Sequence, residues 1–197
     1  MSLTDADLSF VRDLPLTQQA IAFARERHGE QRRDADGAPF LVHPLEVAAL
    51  LERSGYPDHV VASAVLHDVL EDTNVERGEL KRRFGPEVCH LVDAVSDDVS
   101  IEDEEARKAD ARERVRAADR DAAAVFAADK ISKVRELRML LANGKIEPVR
   151  AETKLRRYRL ALDMLEDVIP GSRLVEILRF ELESLESLPP SAGDQPD

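Results

Sequence analysis

The chain has 197 residues, 43% of them apolar, enough to bury the core of a single domain. Its 28 Lys+Arg against 40 Asp+Glu give a formal net charge of −12, which excludes nucleic acid polymers and anionic membranes as partners held by the overall field. Aromatic residues at 4%, with no Trp, argue against a base-stacking platform, so an anionic ligand would need a local basic pocket or a metal.

A single cysteine, Cys89, rules out an intramolecular disulfide framework and fits a reducing compartment. No apolar run approaches the roughly 18 residues of a membrane span. The N-terminus lacks a basic-then-apolar signal pattern, and a cytoplasmic protein is expected.

Apolar residues recur at helical spacing through residues 16–28, at Leu16, Ala20, Ile21, Phe23 and Ala24. Gly29, Gly37 and Pro39 make 29–42 a loop. Pro44 fits a first helical position and Gly55 a C-terminal cap, which predicts a helix over about 44–54. Pro57 opens the next, apolar on nearly all sides and expected as a central buried helix running to about Asp72. Asn74 can cap a short helix ending near Phe84-Gly85, and Pro86 starts another with Val88, Leu91, Val92 and Val95. Asp97–Glu105 holds six acids and no base and reads as a solvated loop or helix start. Residues 106–142 read as helical, in one piece or two, and stop at Gly144. Two more helices are predicted over 147–168 and 173–187, split by Pro170-Gly171, and 188–197 reads as a frayed tail. With no internal repeat and no convincing strand, residues 1–187 are expected to form one all-α domain, its core over about 16–140.

Three polar positions conflict with this apolar pattern. The 57–72 helix ends in His67-Asp68-Val69-Leu70-Glu71-Asp72, where His67 and Glu71, and Asp68 and Asp72, are each four apart and stack on one helical face. Buried carboxylates there need a cation or metal, although Glu71 and Asp72 at a helix end can also face water. Asp129 follows the uniformly apolar run Ala122–Ala128 and needs a partner, either a metal or one of Lys130, Lys133 and Arg135. His43 stands directly before the helix opened by Pro44, as a cap or as a ligand. Together His43, His67, Asp68 and Asp129 make a set of two imidazoles and two carboxylates, suited to a divalent first-row transition metal with open water positions.

A lone His, a His-Asp pair and a distal Asp form the pattern of the HD phosphohydrolase superfamily. The stretches HGEQRRDADGAPFLVHPLEVAALL from His28, HDVLEDT from His67 to Thr73, and FGPEVCHLVDAVSDD from Phe84 to Asp98 resemble the hydrolase domain of RelA/SpoT-type enzymes. The chain thus resembles the small alarmone hydrolases, and the resemblance implies an all-α HD-domain helical bundle. It implies that His43, His67, Asp68 and Asp129 bind Mn²⁺ or another divalent transition metal. It also implies that Glu71 and Asp72 orient and activate the attacking water. The expected reaction is hydrolysis of guanosine 3′,5′-bis(diphosphate), ppGpp, to GDP and pyrophosphate. The residues also leave open two other functions, hydrolysis of another nucleotide phosphate or pyrophosphate and non-catalytic nucleotide sensing.

This sequence departs from the family pattern at the loop Arg32–Gly37, which is longer and carries acids, and at Phe126 and Lys133, where the family usually has Lys and Asn. From Asp129 to Leu160 there are ten Lys+Arg and four Asp+Glu, a surplus of six positive charges beside the proposed ligand Asp129. Lys133, one turn after Asp129, and Arg32 and Arg33 in the loop are expected to bind a small phosphorylated nucleotide. The charges over Arg150–Arg159 are expected on the surface, and His28, Tyr56 and Tyr158 are expected in structural roles. Oligomeric state is left open.

Overall fold

The computed structural model describes residues 9–187, and this part of the chain is all-α. Its helices are α1 (Pro15–His28), α2 (Val42–Arg53), α3 (Asp58–Leu66), α4 (Val69–Asp72), α5 (Arg77–Val95), α6 (Glu104–Ala117), α7 (Arg120–Ala142), α8 (Pro148–Val168) and α9 (Arg173–Glu186). Among the described residues the only extended pairing is an isolated bridge between Arg32 and Pro39 in the α1–α2 loop. No described helix is long and apolar enough to cross a membrane. The expected tail at 188–197 lies outside the described residues.

The local signals act where the sequence places them, with three corrections. The helix expected over 57–72 is broken: α3 ends at Leu66, His67 and Asp68 form a turn, and the single turn α4 follows. Pro44 is the third residue of α2, so His43 lies inside the first turn of that helix and not before it. The two helices expected around Gly85 are present and meet at a sharp kink within α5, where Gly85 adopts φ 88°, ψ 169°, a conformation that a Cβ would strain, but the first of them is preceded by Glu76 at its N-cap and not capped by Asn74. Caps mark some of the other boundaries. Asp103 and Asp119 accept from the amides of Ala106 and Ala122 and so start α6 and α7. Gly55, at φ 80°, closes α2 by donating to the Glu52 carbonyl.

Helix α3 is the hub. Every residue from Val60 to Leu66 is buried, and α3 packs against α1, α2, α5 and α7. Such all-round burial explains why its apolar pattern lacks a polar face. The Ala122–Ala128 segment of α7 is likewise buried, its small side chains letting α7 run close beside α2, α3 and α5. C-terminal helices α8 and α9 pack on α7, where Glu181 of α9 takes Arg135 at 2.6 Å and Arg138 at 2.8 Å. The arrangement brings the start of α2, the end of α3 and the middle of α7 to one place, and each delivers polar side chains into an apolar interior.

Candidate metal and phosphate site

His43 from α2, His67 and Asp68 from the turn after α3, and Asp129 from α7 are all buried and converge. The two imidazole Nε2 atoms lie 3.2 Å apart. Asp129 Oδ1 is 3.2 Å from His43 Nε2 and 3.5 Å from His67 Nε2. Asp68 Oδ1 lies 3.2 Å from His67 Nε2, and its Oδ2 is 3.5 Å from His43 Nε2. At the His67-Asp68 turn two adjacent side chains reach one point.

Three observations test whether these residues fit a divalent cation. Ligand atoms ~2.1 Å from one cation and at right angles are ~3.0 Å apart, close to the separations above. His67 Nδ1 donates to the Ala64 carbonyl at 2.7 Å, so in the neutral ring Nε2 carries the lone pair and aims it at the cluster. Asp68 Oδ2 and Asp129 Oδ1 are buried without a well-directed hydrogen bond, although Lys133 Nζ approaches Asp129 Oδ1 to 3.0 Å. Buried acceptors left in this state call for a positive charge between them. The donor set fits.

The charge balance follows the same logic. Burial opposes ionisation of Asp129, yet Lys130 at 2.6 Å, Lys133 and the two histidines hold its pKa well below the ordinary value. Burial opposes protonation of His67, but Asp68 and Asp129 outweigh it and raise its pKa to about 9. Burial, and then Asp68, raises both Glu71 and Asp72. Glu71 Oε1 accepts from the Asp97 amide at 2.8 Å, which ties the carboxylate in place and leaves Oε2 free. Asp72 is exposed, and its carbonyl accepts from Gln31, whose own Oε1 accepts from His28 at 2.8 Å.

A family model for the HD domain matches residues 20–155. This chain belongs to the HD-domain family. The HD-domain match is supported by relatives and by structure. Over 135 residues the chain is 36% identical to a guanosine-3′,5′-bis(diphosphate) 3′-pyrophosphohydrolase of Xenopus tropicalis, covering 67% of this chain and 75% of that protein. Over 79 residues it is 46% identical to a guanosine-3′,5′-bis(diphosphate) 3′-pyrophosphohydrolase of Aquifex aeolicus, covering 40% of this chain but only 11% of that longer protein. Among solved structures, a metazoan ortholog of SpoT that hydrolyses ppGpp superposes with a TM-score of 0.76 at 25% identity, over 89% of this chain and 97% of that one. A Listeria monocytogenes protein shares the fold, at a TM-score of 0.67 and 24% identity over 76% of this chain and 98% of that one.

Beside the four convergent residues this HD domain has a cavity of about 160 Å³, whose wall carries Lys108, Arg112, Lys130, Lys133, Lys154 and Arg157. Lys133 therefore stands both against Asp129 and in the cavity wall. Phe126 is there too, with Lys130 Nζ 4.1 Å above its ring. Two expectations are corrected here. Arg33 is turned inward, its guanidinium 3.3 Å from Glu46 and within 4 Å of Asp36 and Glu136, and Arg32 is exposed near Glu30. Neither lines the cavity, and Arg33 is held away from it by Asp36 of the loop, Glu46 of α2 and Glu136 of α7. Conversely Lys154, Arg157 and Tyr158, expected as surface charge or as structure, are cavity residues. Arg157 is held by Glu104 and Glu105 at 2.6 and 2.7 Å, which anchors α8 to the start of α6. Arg112 and Lys154 form no ion pair among the described residues, and burial lowers the pKa of both. The sequence signal for α8 was its four-residue repeat, with Lys154 and Tyr158 on one face.

Proposed function

We propose that this HD domain is a divalent-metal-dependent phosphohydrolase that cleaves ppGpp into GDP and pyrophosphate. The observation that carries the reading is the convergence of His43, His67, Asp68 and Asp129 next to a basic cavity. The ppGpp hydrolase of Xenopus tropicalis, matched over most of both chains, supports the substrate. In the reaction, water attacks the phosphorus joined to the 3′ oxygen and the bond to that oxygen breaks. The ribose hydroxyl and free pyrophosphate are the products. The four ligands would hold Mn²⁺ or another divalent transition metal, which supplies Lewis-acid charge to a phosphate oxygen and acidifies water.

The remaining work falls to side chains. Glu71 takes the proton of the attacking water on Oε2, and its raised pKa makes it a stronger base than an ordinary carboxylate. Asp72, one residue on, orients that water. Lys133 is kept charged by Asp129, Asp68 and Glu71 despite burial and offers a phosphate contact beside the ligands. Lys154 and Arg112, with no ion-paired carboxylate among the described residues, bind the outer phosphates. The cavity is below the ~300 Å³ of typical ligand pockets, so it suits a diphosphate group with the nucleoside held in its mouth.

Phe126 in the cavity wall favours a second reading, hydrolysis of another nucleotide phosphate. One assay separates them: purified protein with Mn²⁺ is offered ppGpp and a panel of nucleotides, and pyrophosphate and orthophosphate release are followed. Pyrophosphate from ppGpp is the expected result. Turnover of other nucleotides without ppGpp turnover sinks the first reading, and binding without any turnover points to a sensor.

A further inference from the structure

His67 has an obvious partner for its Nδ1, but His43 does not. Its Nδ1 lies 2.9 Å from Ser132 Oγ, and a hydroxyl can either donate or accept. The direction is settled one residue further out. Ser132 Oγ lies 2.7 Å from Glu46 Oε2, and an ionised carboxylate only accepts. The single Ser132 proton therefore goes to Glu46. Ser132 must accept from His43, so the ring proton sits on Nδ1 and the Nε2 lone pair faces the cluster. Glu46 is in turn held by Arg33, whose Nη1 donates to Oε1 at 3.3 Å.

We infer that Arg33, Glu46 and Ser132 are positioning residues that fix the tautomer of His43 and thereby tune metal affinity. The inference rests on the metal reading above and assigns roles to three residues on α2, α7 and the α1–α2 loop. It also gives the burial of Arg33 away from the phosphate cavity a role: its donors occupy Glu46 Oε1 and leave Oε2 for Ser132. Partners of this kind orient a ligating imidazole and raise its basicity, and losing one typically weakens metal binding roughly 10–100-fold.

Glu46→Gln tests the direction with almost no change of shape. The Arg33 guanidinium has only donors, so it captures the amide oxygen and turns the amide NH₂ toward Ser132. Ser132 then accepts from that NH₂ and donates to His43 Nδ1, which moves the ring proton to Nε2, where it opposes a cation. Ser132→Ala removes the link, and Ser132→Thr keeps the hydroxyl. Mn²⁺ affinity is measured by calorimetry, and ¹⁵N spectra of metal-free protein at alkaline pH locate the His43 proton. Expected are an Nδ1–H ring in the wild type, an Nε2–H ring in Glu46→Gln, Mn²⁺ affinity roughly 10–100-fold weaker in Glu46→Gln and Ser132→Ala, and near wild-type affinity in Ser132→Thr. Wild-type affinity and unchanged spectra in Glu46→Gln and Ser132→Ala overturn the inference. A wild type that takes up no Mn²⁺ yet shows an Nδ1–H ring overturns the metal reading and leaves the tautomer assignment standing.

Discussion

Removing the metal should make this protein sensitive to alkali. In the metal-free fold His67 is buried between Asp68 and Asp129, and these carboxylates raise its pKa to about 9 against an ordinary 6.5. A folded-state pKa above the unfolded one means that the native state binds the proton more tightly. The resulting stabilisation is complete below about pH 6.5 and is lost as pH rises through about 9. At about 1.36 kcal/mol per pH unit, the gap is worth about 3 kcal/mol. For a chain of this size that corresponds to about 6–12 °C in Tm. Lys133, held well above the ordinary lysine value by Asp129, Asp68 and Glu71 against the effect of burial, keeps its charge across this window. With Mn²⁺ bound, a cation takes the place of the proton and the alkaline loss should disappear. The assay is thermal unfolding across this pH range, with chelator and with Mn²⁺. A metal-free Tm that stays level from pH 6.5 to 9 would refute the reasoning, and so would an equal fall in both series.

The remaining predictions concern single side chains. Asp68→Ala should abolish both bound metal and turnover, read by elemental analysis and pyrophosphate release, since no other described carboxylate lies as close to both imidazoles except Asp129. Glu71→Gln should keep the metal and lose roughly 10²–10⁴ in kcat, and an unchanged kcat removes Glu71 from the role of base. Lys154→Ala should raise KM for ppGpp roughly 10–100-fold, the worth of one charge-assisted hydrogen bond, with kcat little altered. Leu66→Ala, at a fully buried position in α3, should cost about 2–5 kcal/mol in denaturant unfolding, and a cost within error would mean that α3 is not the hub.

The helices were legible because their signals are local. Proline starts, glycine stops and the apolar spacing of α1, α3 and α7 each act within a turn or two. The convergence of His43, His67, Asp68 and Asp129 was legible from a different conflict, polar residues inside segments too apolar to face water. What escaped depends on partners distant in sequence. The break at His67-Asp68 carries no Gly or Pro and both residues keep right-handed helical dihedrals, so periodicity runs straight through it. Arg33 looked available because its partners Glu46 and Glu136 come from α2 and α7. Ser132 and Glu46 carried no signal, since a serine and a glutamate on helices are ordinary until 86 residues of chain are folded between them.

The net charge of −12 is not the charge of the site. At the ligand cluster Asp68 and Asp129 bring two negative charges, and Lys130 and Lys133 bring two positive ones within reach of Asp129. The lysines already offset these carboxylates, so the charge of a divalent cation held there would not be cancelled by its own cage. It would remain to act on an anion in the adjoining cavity, against the smaller negative contribution of Glu71. Acids elsewhere are engaged with bases of the same region: Asp97 with Lys108, Glu104 and Glu105 with Arg157, and Glu181 with Arg135 and Arg138. Such pairs keep the cavity from becoming so basic that it would bind any polyanion. Among the described residues they leave Arg112 and Lys154 as cavity cations without an ion pair. A site of this kind discriminates by position, because an anion gains only where its phosphates reach those two side chains and the cation cage together. A lone phosphate reaching one of these places gains part of the attraction, and a longer nucleic acid meets the repulsion of the surrounding acidic surface.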